Sequence, residues 1–372
     1  MTNPHTFMLK PATWYDFGLT PDEEERASQL HDELIVFDSL MECSWYDGMI
    51  THMKKGGPAT GSLSIGHIDF SKLRGEKKPE IPPEEWWTAE TLTKNIRYVK
   101  DRVTEHEADV MLCYTAHDLR EAKRQGKVGL MLDNQNTEYV GKDVGVLDAF
   151  YALGIRRTQL TYNFTVAAGA GCMETRNSGL SRFGADIIER MEEIGMLVDT
   201  GHSHSSTLLD ALDVAKKPLT CSHAGMASRC VNPRTQTDEA LIKLADKGGV
   251  FGVISTPGAL NGTDRCTVAE YVDTIDAAVK LMGIDHVGFG TDLILAASLE
   301  EILAAPEWND KLRESVGVSI DVWPWSDGHL GMENNSGYAN LTRGLVAKGY
   351  QDDAIRKVMG GNFLRLIEDT IG

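Results

Sequence analysis

Residues 196–223 read MLVDTGHSHSSTLLDALDVAKKPLTCSH, and their order decides the fold. Met196–Asp199 is a short apolar run, the mark of a strand buried on both faces. Ser206–Lys216 has the pattern of an amphipathic helix, and Pro218–Ser222 is a second strand-like run. Strand, helix, strand in that order predicts two parallel strands joined by a crossover helix. Each strand is followed closely by a histidine, His202 and His223.

The same alternation extends in both directions. Strand-like runs occur at Leu34–Asp38, Val128–Leu132, Thr158–Tyr162, Gly249–Ile254 and His286–Gly290. Helical patterns occur at Pro21–Glu33, Ile187–Ile194, Asp238–Lys247 and Val268–Met282. Thr20 is placed to cap the first helix, with Pro21 in its first turn. Gly248 and Gly249 close the helix before the 249–254 strand. Seven clear runs and a weak one near Gly61–Ile65 predict an α/β chain folded as a single (β/α)8 TIM-type barrel. A doubly wound open sheet would want a GxGxxG after an early strand, and none is present. Residues 1–29 read as an N-terminal extension. The stretch 45–107 reads as an excursion partly covering the barrel mouth, with a second loop at Trp323-Pro324-Trp325.

The bulk composition excludes several classes. The chain has 372 residues, 42% hydrophobic and 25% charged, with a formal net charge of -18. So acidic a surface repels nucleic acid and anionic lipid, so neither is expected as a partner. No run approaches the roughly 18 apolar residues of a membrane span. The first residues lack the basic start and apolar core of a signal peptide. The six cysteines are scattered without a CxxC pair and read as reduced. A cytoplasmic location is the resulting expectation.

In a barrel, residues just beyond the strands line the catalytic mouth. That rule gathers Asp38 to Glu42, Gln135, Tyr162, Asn163, His202, His204, His223 and Asp292. Two imidazoles from consecutive strands, with a carboxylate after the last, suit a transition metal. The other histidines read as structural or surface residues.

The motifs resemble the renal, or membrane, dipeptidase family. The resemblance is carried by Met196–Ser203, Lys217–Ala224, Asn232–Thr235, His286–Asp292 and the closing Gly360-Gly361-Asn362-Phe363-Leu364-Arg365. Leu160–Asn163 and Gly179–Gly184 also match, so the resemblance spans the chain from Leu30 to Arg365. It implies a binuclear zinc site. His202 and His223 would hold one ion, Asp292 would act as acid/base, Arg234 would bind a substrate carboxylate, and Tyr162 and Asn163 would contact substrate. It also implies a homodimer. Where the family has a DGHxD first strand, this chain has Asp38-Ser39-Leu40-Met41-Glu42, and its bridging glutamate falls on Gln135. Leu40 cannot ligate, and a neutral amide cannot offset two dications.

The expectation is therefore one zinc per chain, held by His202 and His223 with Gln135 as a neutral third group, and Asp292 and Glu42 as catalytic carboxylates. Two substitutes for the missing ligands stand in the sequence, an HxD at His67-Ile68-Asp69 and His204, close to His202. The expected activity is hydrolysis of a dipeptide or small amide bearing a free carboxylate. A repurposed barrel (lyase, isomerase or decarboxylase) with one metal or none is the alternative, and a non-catalytic ligand binder stands behind both.

Overall fold

A computed structural model describes residues 11–41, 49–57, 60–65, 87–263, 265–293 and 329–372. Eight parallel strands run in sequence order around one sheet. They are β1 (Phe37–Met41), β2 (Thr60–Ser64), β3 (Val128–Asn134), β4 (Ile155–Gln159), β5 (Leu197–Asp199), β6 (Thr220–Met226), β7 (Val250–Ile254) and β8 (Val287–Gly290). The sheet closes where β8 returns to β1. There Ser39 Oγ donates to Phe289 O at 2.8 Å, and the Asp292 N–H donates to Leu40 O at 3.0 Å. The (β/α)8 expectation is met.

The barrel interior is filled in layers. Phe37, Met131, Leu197 and Val250 lie on alternate strands, and they share one apolar cluster with Phe363, Leu364, Leu366 and Ile367 of the C-terminal helix Asn362–Thr370. Four side chains from alternate strands make one barrel layer. Two residues further along each strand the same inward face carries Ser39, Asp133, Asp199 and Gly252, so the interior turns polar toward the mouth. Gly252 has no room for a side chain: an added Cβ would lie 1.8 Å from Ser222 O and 2.5 Å from Ser39 Oγ.

Several elements formed where the sequence placed them. The helices Pro21–Glu33 and Val268–Met282 have the expected bounds, and Thr20 caps the first through a box with Glu23. The first strand begins at Phe37 rather than Leu34. The fourth begins at Ile155, three residues before the expected start. Arg156 and Arg157 disguised it, because Arg157 is a buried side chain pointing into the barrel. Within 45–107, the described part contains β2, the short helix Met49–Lys55 and the regular helix Ala89–Glu105 with its Thr88 cap. A short strand, Val110–Leu112, then pairs in parallel with the start of β3. Residues 42–48, 66–86 and 294–328 lie outside the described residues, and with them Glu42, His67, Asp69 and the Trp323–Trp325 loop. No described helix is long and apolar enough to cross a membrane. Cys113, Cys172, Cys221, Cys230 and Cys266 are free thiols.

Candidate active site

Arg157 anchors the floor of the mouth. From β4 it reaches Asp133 on β3 at 2.5 Å and Asp199 on β5 at 3.2 Å. Burial holds the Asp133 carboxyl up at about 6, with Arg157 opposing that rise. Asp199 Oδ1 also accepts the N–H groups of Gly201 (3.0 Å) and Ser222 (2.9 Å), which fixes the turn between β5 and His202. Gly201 must lack a side chain, since a Cβ there would come within 2.8 Å of the His223 ring.

On this floor stand His202 and His223, with ring centroids 4.8 Å apart. His202 Nδ1 donates to Asn163 Oδ1 at 2.7 Å, so its lone pair is on Nε2. His223 Nδ1 lies 2.8 Å from Ser222 Oγ, and its Nε2 is buried without a hydrogen-bond partner. Burial, with Arg234 and Arg157 adding repulsion, pushes the His223 pKa well below its ordinary value. The ring is therefore neutral at physiological pH, the form that binds a metal. Asp292 closes the group with Oδ2 4.0 Å from His223 Nε2. The ligand atoms of His202, His223 and Asp292 all lie within 4.8 Å of one another, the only such cluster of metal-ligating side chains among the described residues.

Asp292 adopts a left-handed backbone with φ 52°. The seam between β1 and β8 holds it there. Asp38 accepts from the Thr291 N–H at 2.9 Å, from Thr291 Oγ1 at 2.5 Å and from Tyr338 Oη at 2.7 Å. Burial raises the Asp38 pKa to about 6 against these hydrogen bonds.

The remaining predicted residues surround this centre unevenly. The Tyr162 ring stacks on His202 at 4.1 Å and packs against Trp87, which the sequence did not single out. Asn163 touches His202 rather than facing outward. Arg234 Nη1 donates to Gly201 O at 2.7 Å, and its Nη2 lies 3.7 Å from Asp292 Oδ2. Gln135 donates from Nε2 to Ser64 Oγ at 2.9 Å. Leu40 is fully buried and belongs to neither apolar core cluster. His204 is turned away to cap the helix Ser205–Val214, where its Nδ1 accepts from the Ser206 N–H.

A closed parallel barrel with two imidazoles and a carboxylate converging at its C-terminal mouth has the form of a metal-assisted catalyst. The profile of the membrane dipeptidase family (peptidase family M19) matches residues 24–321, and the chain belongs to that family. It is 29% identical over 264 residues to an uncharacterised dipeptidase of Schizosaccharomyces pombe, covering 68% of this chain and 63% of that one. It is 26% identical to Dipeptidase tcpJ of Claviceps purpurea, covering 72% of this chain and 57% of that one. The chain thus spans less than two thirds of these two relatives. Among solved structures, an amidohydrolase from Pseudomonas aeruginosa superposes with a TM-score of 0.80 at 26% identity, over 93% of this chain and 99% of that one. A metallopeptidase from Rhodobacter sphaeroides, liganded with a phosphinate mimic of the dipeptide L-Ala-D-Ala, shares the fold with a TM-score of 0.71 at 18% identity, over 91% and 99%.

Proposed function

We propose that this protein is a metal-dependent hydrolase that cleaves a dipeptide or small amide bearing a free carboxylate, with one zinc ion per chain. The observation that carries the reading is the convergence of His202, His223 and Asp292 within 4.8 Å. The donors fit one ion: His223 Nε2 is a buried ring nitrogen without a hydrogen-bond partner, and neutral imidazoles suit zinc. Among the described residues they do not fit a second. Leu40, whose backbone carbonyl accepts from Asp292, offers no ligand atom, and Gln135 offers no charge.

When bound, zinc polarises a carbonyl and acidifies water. The chain's own groups do the rest. Asp292 Oδ2 takes a proton from the attacking water and returns it to the leaving amine. Arg234, oriented by its bond to Gly201 O, meets the substrate carboxylate. The Tyr162 ring, stacked on His202, forms an apolar wall beside the cleaved bond. Gln135 stands just past the end of β3, and we leave it to the substrate rather than to the ion.

The test is release of free amino acids from a dipeptide panel by the zinc-loaded protein. Asp292→Asn should lower kcat by about 100-fold or more with zinc retained, and Arg234→Ala should raise KM. Zinc-loaded protein that releases no amino acid from any member would replace this reading with the repurposed barrel.

A further inference from the structure

Gln135 and Gln159 are buried amides that the proposed chemistry does not use. Asp133 pairs with Arg157, and Asn134 with Thr158, across β3 and β4. Gln135 and Gln159 are the residues that follow this last pair. By the two-residue period they share the inward face of Asp133 and Arg157, just above that ion pair. Gln159 is 0% exposed, and neither its Nε2 nor its Oε1 has a hydrogen-bond partner. Gln135 is 1% exposed; its Nε2 is used on Ser64, while its Oε1 has no partner. Three amide positions on adjacent strands are thus buried and unsatisfied, an arrangement that folded proteins avoid unless something else supplies the partners.

Their place in the barrel points to substrate. Around the mouth, the β5–β8 arc carries His202, His223 and Asp292, and the β2–β4 arc carries Ser64, Gln135 and Gln159. A molecule lying across the mouth meets the imidazoles at one end and the amides at the other. The amides present two acceptors, Gln135 Oε1 and Gln159 Oε1, and one donor, Gln159 Nε2. A primary carboxamide is the complement. Its carbonyl accepts from Gln159 Nε2, one N–H donates to Gln159 Oε1, and the other N–H donates to Gln135 Oε1. A carboxylate would face two lone pairs with one donor. An ammonium has no acceptor capacity and would leave the Gln159 Nε2 donor unmet.

We propose that Gln135 and Gln159 form a subsite for a carboxamide group of the substrate. The proposal rests on the hydrolase reading for the identity of the rest of the substrate. It makes the uncharged half of the mouth a specificity element.

The test compares isosteric dipeptides: L-alanyl-L-glutamine with L-alanyl-L-methionine, and L-glutaminyl-L-alanine with L-methionyl-L-alanine. Binding is measured by calorimetry on the zinc-loaded Asp292→Asn protein, which separates recognition from turnover. One glutamine peptide should bind at least about tenfold more tightly than its methionine partner. Adding Gln159→Met, or separately Gln135→Met, should shrink that preference to about twofold or less with zinc content unchanged. Equal binding of both isosteric pairs by the parent overturns the subsite, as does a preference that survives both substitutions. If the preference holds while the wild-type protein hydrolyses no dipeptide, the hydrolase reading fails and the subsite stands.

Discussion

Asn163 illustrates how a single residue's role depends on a contact far off in sequence. Its neighbour Tyr162 marks it as a mouth residue, and from sequence it was expected on substrate. In the fold its Oδ1 accepts the Nδ1 proton of His202, 39 positions later, and so sets which nitrogen of that ring faces the site. Partners of this kind typically change metal affinity by about 10–100-fold. Asn163→Ala should weaken zinc binding on that scale in competition with a chromophoric chelator; affinity equal to wild type would remove Asn163 from the site's support. His202 and His223 themselves were legible, because each follows an apolar run in a polar context. Asp38 was gathered with the mouth residues, but its role in the seam was not legible, because its partners Thr291 and Tyr338 are 253 and 300 positions away.

At the scale of elements, β4 and the β1–β8 seam do the positioning. β4 was misplaced because IRRTQ looks half-exposed, whereas Arg157 is buried between two carboxylates on the flanking strands. Periodicity cannot show that a cation is neutralised by strands 24 and 42 residues away. Removing one partner of a buried ion pair leaves the other charges uncompensated, at about 3–5 kcal/mol. Arg157→Met should lower the urea midpoint accordingly, and an unchanged midpoint would mean that the triad does not hold the floor. The seam has a pH signature. Folding raises the Asp38 pKa from 3.8 to about 6, so between those values the folded chain binds more protons than the unfolded one. The stability contributed by this group therefore falls as pH rises through that window. Asn at this position cannot titrate, so the stability difference between wild type and Asp38→Asn should move in the wild type's favour as pH is lowered from about 7 to about 4. A pH-independent difference would show that Asp38 titrates alike in both states.

The whole molecule is a barrel whose two halves face the mouth with different chemistry. The eight-strand order could be read in advance, since continuous apolar runs and intervening helices force parallel strands into one closed sheet. The charge asymmetry of the mouth was also visible, in Leu40 and Gln135. What sequence could not supply was the interior stacking that buries Arg157 between Asp133 and Asp199 and leaves three amide atoms of Gln135 and Gln159 without partners. These observations support one central claim, that the mouth holds a single ion on the His202 and His223 side. Elemental analysis of the purified protein, before and after equilibration with excess zinc and desalting, tests it most directly when paired with His202→Ala. The account predicts about one zinc per wild-type chain, and almost none in the folded variant. Two ions per wild-type chain, or one ion undiminished by His202→Ala, would contradict it.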